Sequence, residues 1–184
     1  MIEVEVRSFI NEEEYNRLIE LLENIAEKVN EDTQITYYFS GEQDLRIQKN
    51  NQFAKLWLKG GQIHDKQREE LEVRFDREDF GELEKLLKML GYGVEIKWYR
   101  KRHKFEWNGY EVCVDHTPGY GRIVEIEKMC EEDEEGEIYQ ELLDALEELD
   151  VEKTPKEKFD KRYQTYKNNW QEILEEKDLS SFQE

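Results

Sequence analysis

Residues that brace many small folds are scarce here. The sequence has two prolines and two cysteines among 184 residues. Cys113 and Cys130 match no zinc-ligand spacing and make no disulfide framework, which excludes a cystine-stapled scaffold and points to a reducing cytoplasm. Histidine is also sparse: His64, His103 and His116 are scattered, which argues against a histidine-built metal site. No apolar run approaches the roughly 20 residues of a membrane span, and the N-terminus has no signal-peptide apolar region. The expectation is a cytoplasmic chain without membrane contact. Basic charge is in short supply as well: 27 lysines and arginines face 46 acids, for a net charge of −19. That field opposes binding to nucleic acid duplexes and anionic lipid, yet leaves room for a local basic pocket.

What is present is alternation. Ile2, Val4 and Val6 fall on one face of an extended backbone, and Glu3, Glu5 and Arg7 on the other. Glu70-Leu71-Glu72-Val73-Arg74-Phe75 repeats the pattern, and Val124-Glu125-Ile126-Glu127 mirrors it. Asp44 to Gln48 and Lys55 to Lys59 alternate too, with Arg46 and Gln48 on one polar face and both lysines on another. Ile35 to Ser40 reads as a strand of unclear facing, followed by a turn at Gly41. The loop around His64 is polar. A long strand from about Val94 to Trp107 puts Ile96 and Trp98 on the face of Arg100, Arg102 and Lys104, which predicts a bulge or strong twist. Asn108-Gly109 is a hairpin signal. Beyond it Val112 and Val114 alternate with Glu111, Cys113 and Asp115.

Four amphipathic helices are expected. The first is capped by Asn11 with Glu14 at the capping-box position, and carries apolar residues from Tyr15 to Val29. The second is capped by Asp76 or Asp79, presents Phe80, Leu83, Leu86, Leu87 and Leu90, and stops at Gly91. The third begins near Glu134. The fourth opens with Thr154-Pro155-Lys156-Glu157, a capping threonine ahead of proline and a capping-box acid. It then carries an aromatic stripe of Phe159, Tyr163, Tyr166 and Trp170, expected to pack on the sheet.

The fold class follows as α+β: one domain over residues 1–184, with a core over 1–128 and C-terminal helices over 133–176. Four amphipathic helices need an apolar surface, and the strands supply one on their outer faces. The alternation alone leaves open a flat sheet with a wet charged face; it argues for a sheet that curls closed, and together with the resemblance given next the expected architecture is a closed antiparallel eight-stranded β-barrel with a charged lumen and the helices packed outside.

The charged residues resemble the CYTH domain of the triphosphate tunnel metalloenzymes. That group includes class IV adenylate cyclases, thiamine triphosphatases and inorganic triphosphatases. The resemblance is carried by Glu3-x-Glu5-x-Arg7, Leu45-Arg46-Ile47, Leu58-Lys59-Gly60, Arg68-Glu69-Glu70-x-Glu72, Arg100-x-Arg102, Asp115 before Gly119-Tyr120-Gly121, and Glu125-Ile126-Glu127, in family order. Two positions depart from it. Arg7 stands where the family usually has lysine, and Gln48 where it usually has a second arginine.

The resemblance implies a tunnel that binds a triphosphate or polyphosphate. Arg7, Arg46, Lys59, Arg74, Arg100 and Arg102 would grip the phosphates, arginine in bidentate fashion. Glu3, Glu5, Glu125 and Glu127 would hold Mg2+ or Mn2+ through oxygen. Glu5, Arg7 and Glu127 would stand closest to the chemistry. Glu70, Glu72 and Asp115 are lumen acids without an assigned role, and a structural ion pair is expected for at least Glu72 or Arg74. The implied activity is metal-dependent hydrolysis of inorganic triphosphate or of a nucleoside or thiamine triphosphate. Two alternatives stay open: a class IV adenylate cyclase making cyclic AMP and pyrophosphate, and a non-catalytic binder of polyphosphate or nucleotides. The chain is expected to be a monomer or homodimer.

Overall fold

A computed structural model describes residues 1–59 and 70–182, with the side chains of Lys59 and Glu70 outside that description. The expected loop around His64 lies outside it as well. The element order is β1 (Ile2–Ile10), α1 (Glu12–Ile25), β2 (Glu27–Phe39), β3 (Asp44–Lys49), β4 (Ala54–Lys59), β5 (Glu70–Phe75), α2 (Phe80–Met89), β6 (Val94–Trp107), β7 (Tyr110–Thr117), β8 (Gly121–Cys130), α3 (Glu135–Glu148) and α4 (Lys156–Glu175). The strands form one eight-stranded antiparallel sheet in the order β1-β8-β7-β6-β2-β3-β4-β5. Among the described residues no ladder joins β1 to β5, so hydrogen bonds do not close the expected barrel. No described helix is long and apolar enough to cross a membrane.

The chain divides into two compact units. The first comprises Met1–Asp32 and Lys101–Tyr166; the second comprises Thr33–Arg100 and Lys167–Glu184.

In the first unit the apolar faces of β1, β8, β7 and β6 meet α1 and α3. Val4, Val6, Val112, Val114, Val124, Ile126 and Phe105 pack with Leu18, Leu22, Leu142 and Leu146. Period-two strands and period-3.6 helices each present one apolar face, and these faces close on each other. The Asn11 capping box is formed: Glu14 N–H donates to the Asn11 side chain at 2.9 Å, and Asn11 N–H donates to the Glu14 carboxylate at 2.7 Å. The helix ends at Ile25, earlier than expected, and Val29 belongs to β2. The extended backbone there brings Glu31 to 3.0 Å from the Lys101 ammonium. Asn108 and Gly109 both have positive φ, 54° and 80°, as a tight hairpin requires.

β6 resolves its ambiguous facing without the bulge in its ladder with β7. The register runs unbroken from Lys101 opposite His116 to Trp107 opposite Tyr110. His103, Phe105 and Trp107 are buried, while Arg102 and Lys104 occupy the other face.

Thr154 does not cap α4. Its hydroxyl accepts from the Phe9 N–H at 3.0 Å and lies 2.9 Å from the Ser8 hydroxyl. Ser8 in turn donates to the Glu152 carbonyl and accepts from the Thr154 N–H at 2.9 Å. This exchange ties the α3–α4 connector to β1. The aromatic stripe of α4 does pack on the sheet, but on the face that carries β1's charges. Phe159 stacks on Phe9 at 4.2 Å, and Phe9 shares its strand face with Glu3, Glu5 and Arg7.

In the second unit Ile35, Tyr37, Phe39 and Ile47 pack with Phe80, Leu87 and Phe182. This settles the facing of the C-terminal part of β2: Ile35, Tyr37 and Phe39 are core, and Thr36 and Tyr38 lie opposite. Neither Asp76 nor Asp79 makes a side-chain cap. Leu86 and Leu90, assigned to the buried stripe of α2, are exposed, as are Leu71 and Val73 of β5. The outer face of β5 is therefore not covered by a described helix.

Candidate active site

The register of four strands builds a charged face in the first unit. Across β1 and β8, Glu5 stands opposite Glu127 and Arg7 opposite Glu125. Across β8 and β7, Glu127 stands opposite Glu111 and Glu125 opposite Cys113. Across β7 and β6, Asp115 stands opposite Arg102 and Cys113 opposite Lys104. Directly opposed residues share a face, so alternation in each strand compounds into rows across the sheet. Glu3 and Glu125, at opposite ends of the sequence pattern, are thus on one face.

Three of the four expected metal ligands come together. One carboxylate oxygen from each of Glu3, Glu5 and Glu127 lies within 4.8 Å of the other two. The crowding is costly. Burial, aided by Glu3, Glu111 and Glu125, pushes the Glu127 carboxyl up to about 7. Burial and Glu125 also raise Glu5 above the usual carboxylate range. Acceptor-only oxygens that resist ionising next to each other are the donor set a hard divalent cation would relieve. These residues therefore fit Mg2+ or Mn2+.

Glu125, the fourth, is turned to a different partner. Its carboxylate lies 3.3 Å from Arg102 Nη2. Arg102 also donates from Nε and Nη2 to the two oxygens of Asp115 at 2.9 Å and 2.7 Å. Burial opposes the charge on this guanidinium, but the bonds to Asp115 outweigh it and raise its pKa. Arg7 is looser: its Nη1 is 3.8 Å from Glu5, and its guanidinium carbon lies 5.0 Å over the Phe159 ring.

Three residues of this face were not assigned from sequence. Lys104 and Glu111 form an ion pair, and Cys113 is buried between Glu111 and Asp115. Burial pushes its thiol up to about 12, so it stands neutral among the charges. The signal was available in the alternation of Lys104 with Phe105 and of Glu111 and Cys113 with Val112 and Val114.

The second unit has its own charged strand face. Tyr38, Arg46 and Trp57 are opposed in one row across β2, β3 and β4. The Arg46 guanidinium lies 4.4 Å from the Tyr38 ring centre and 5.2 Å from that of Trp57. It donates twice to Asp44, each time at 2.6 Å. Gln48, which replaces a usual family arginine, donates to the Thr36 hydroxyl at 2.9 Å. Glu72 accepts from Lys55 and from Arg74, both at 2.8 Å, and these bonds hold its carboxyl below the usual range. Arg74 also lies 4.3 Å over Phe53. Arg100 is partly buried on β6.

Comparison with known proteins agrees with this construction. A family model for the CYTH domain matches residues 1–159. No curated protein sequence matches the chain. Among solved structures, a protein of Pyrococcus horikoshii OT3 is similar at 28% identity, covering 82% of this chain and 92% of its own, with a TM-score of 0.62. A putative adenylate cyclase of Vibrio parahaemolyticus shares the fold at 15% identity and a TM-score of 0.61, over 86% of this chain and 97% of its own. A putative adenylyl cyclase of Hippeastrum, described as having a dominant triphosphatase activity, shares it at 18% identity and a TM-score of 0.59, over 81% and 87%. The strand-borne carboxylates, their register and the family match converge: this chain belongs to the CYTH domain family.

Proposed function

We propose that the chain is a divalent-metal-dependent triphosphatase that releases orthophosphate from inorganic triphosphate or from a nucleoside or thiamine triphosphate. The observation that carries this reading is the Glu3, Glu5 and Glu127 cluster on the same strand face as Arg102 and Arg7. The reading rests on the face of β1, β8, β7 and β6 and does not require the sheet to close.

The roles follow from residue chemistry. Glu3, Glu5 and Glu127 would hold Mg2+ or Mn2+, with Glu125 beside them. When bound, such a cation neutralises phosphate oxygens and lowers the pKa of a coordinated water. Arg102 is held in one orientation by Asp115, so little further ordering is needed when it meets a phosphate. Arg7 carries a second cation beside Glu5. Arg46, Lys59, Arg74 and Arg100 are proposed as further phosphate ligands on the family resemblance. For Arg46 a phosphate must compete with Asp44, and for Arg74 with Glu72. Catalysis of phosphoryl transfer needs chiefly positioning and charge stabilisation, which fixed guanidinium and carboxylate groups supply.

The family match and the Hippeastrum and Vibrio parahaemolyticus relatives favour an enzyme over a passive binder, and keep the cyclase as the second reading. The test incubates the protein with Mg2+ or Mn2+ and triphosphate, thiamine triphosphate or ATP, and measures orthophosphate, pyrophosphate and cyclic AMP. Orthophosphate release supports the triphosphatase. Pyrophosphate with cyclic AMP makes the protein a cyclase. Tight binding with no product makes it a binder.

A further inference from the structure

Acids outnumber bases by 46 to 27, and most described cations pair with a carboxylate. Lys28, Lys55, Lys101, Arg102 and Lys128 each have one within 3.1 Å. Among the cations that do not, four are gathered in one place. Lys153, Lys158, Lys161 and Arg162 line a cavity of about 670 Å3 in the first unit, and none of them pairs with a carboxylate among the described residues. Lys153 meets the Tyr139 hydroxyl and ring. Arg162 donates from Nη1 to the Tyr120 carbonyl at 3.1 Å and lies 5.3 Å over the Phe9 ring. The side chains of Lys158 and Lys161 have no such partner among the described residues.

The helix explains the grouping. At 100° per residue, Lys158, Lys161, Arg162 and Thr165 fall on one face of α4, and Phe159 and Tyr166 on another. The aromatic face is fixed: Phe159 stacks on Phe9, and Tyr166 meets Tyr120 edge-on at 5.8 Å. The connector that carries Lys153 is fixed by Ser8. The basic face is therefore held at the cavity by packing elsewhere, and its orientation does not depend on an ion pair. Because Thr154 is committed to β1, its side chain leaves the first turn of α4 uncapped at the same wall, the positive end of the helix. Two acids share the lining, Glu14 and Glu152, and Glu14 is engaged in the Asn11 capping box.

We infer that this cavity, which adjoins the charged face of β1 at Phe9 but contains none of its carboxylates, is an anion-binding site for a small ligand bearing two or three linked phosphates. Its volume lies in the range of small-molecule sites. Four cations against two acids, at the first turn of a 20-residue helix, are complementary to a polyanion and exceed what a monoanion can engage. The site does not depend on the proposed catalytic reading, since it shares none of its metal or phosphate ligands.

The experiment is calorimetric titration of the full chain with pyrophosphate, in chelator and at low salt. It compares wild type, the double variant Lys158→Ala with Lys161→Ala, and Arg102→Ala. The double variant should lose one class of sites or bind at it at least tenfold more weakly, with affinity falling steeply as salt rises. Arg102→Ala should retain that class. Lysine acetylation of the wild-type protein, read by mass spectrometry, should show pyrophosphate protecting Lys158 and Lys161 and leaving Lys85 reactive. An isotherm unchanged in the double variant, or equal acetylation with and without pyrophosphate, would overturn the site. Loss of every binding class in an Arg102→Ala protein that still unfolds cooperatively in urea would assign all pyrophosphate to the strand face and overturn it as well.

Discussion

Arg102 on β6 and Asp115 on β7 stand directly opposite each other and share two hydrogen bonds, at 2.9 Å and 2.7 Å. Asp115 is 6% exposed, so these two bonds are shielded from water. Arg102→Ala should therefore cost about 2–4 kcal/mol of stability, because it takes both charge-assisted bonds from a buried carboxylate. Asp115→Asn leaves one acceptor and removes the competing charge. It should bind triphosphate in chelator more tightly than wild type. Urea unfolding and calorimetry check the two halves, and equal triphosphate affinity in Asp115→Asn and wild type would show that the pair does not compete with phosphate.

Glu5→Gln separates metal binding from fold. The amide removes one negative charge from the Glu3, Glu5 and Glu127 cluster and is a poorer ligand for a hard cation. Turnover at saturating Mg2+ should fall by at least tenfold. Stability should hold or rise, since Glu5 is crowded by Glu125 and Glu3. Triphosphate binding in chelator should be at least as tight as before. Near-normal turnover would remove Glu5 from the metal site.

Ser8→Ala tests the tie between β1 and the α3–α4 connector. Ser8 is fully buried and leaves the Glu152 carbonyl and the Thr154 N–H without their partner when truncated. The expected loss is about 1–3 kcal/mol. A urea midpoint unchanged from wild type would show that the connector is held by packing alone.

His103 sets a pH dependence. Burial lowers its pKa below 6.5, with Glu31 acting in the opposite direction. The unfolded chain takes up a proton near pH 6.5 that the folded chain refuses, so stability is lost as pH falls from there toward the folded value. Burial acts the same way on His116. Glu31, held near 2 by its bonds to Lys101 and Lys28, stays charged through this window. His103→Gln should lose part of the fall in urea midpoint between pH 7 and pH 5. An identical slope in the variant would show that His103 does not contribute.

Arg46→Ala should weaken triphosphate binding at least tenfold, while Lys85→Ala, an exposed helical lysine paired with Glu82, should not. Equal effects in a binding titration would remove Arg46 from the phosphate ligands.

Much of this protein was legible in single strands and caps. The alternation of Glu3, Glu5 and Arg7 with Val4 and Val6 fixes which side is charged, because a strand's side chains have period two whatever it packs against. Asn11 with Glu14, and Asn108 with Gly109, are local interactions and form where the sequence places them. Other features depended on residues distant in sequence. Thr154 reads as a helix cap, yet its hydroxyl is taken by Phe9, 145 positions away. The periodicity of α1 continues to Val29, yet the backbone turns to strand where Glu31 meets Lys101 on β6. Sequence named Glu125 with the metal ligands, and only the register across β8, β7 and β6 brings it within 3.3 Å of Arg102. The sequence by itself determined the fold class, the charged strand faces and the family, since these follow from local periodicity and ordered motifs. The tertiary structure alone decided which charge meets which, because that depends on register between strands and on a helix face held by aromatic contacts, distances no local pattern encodes.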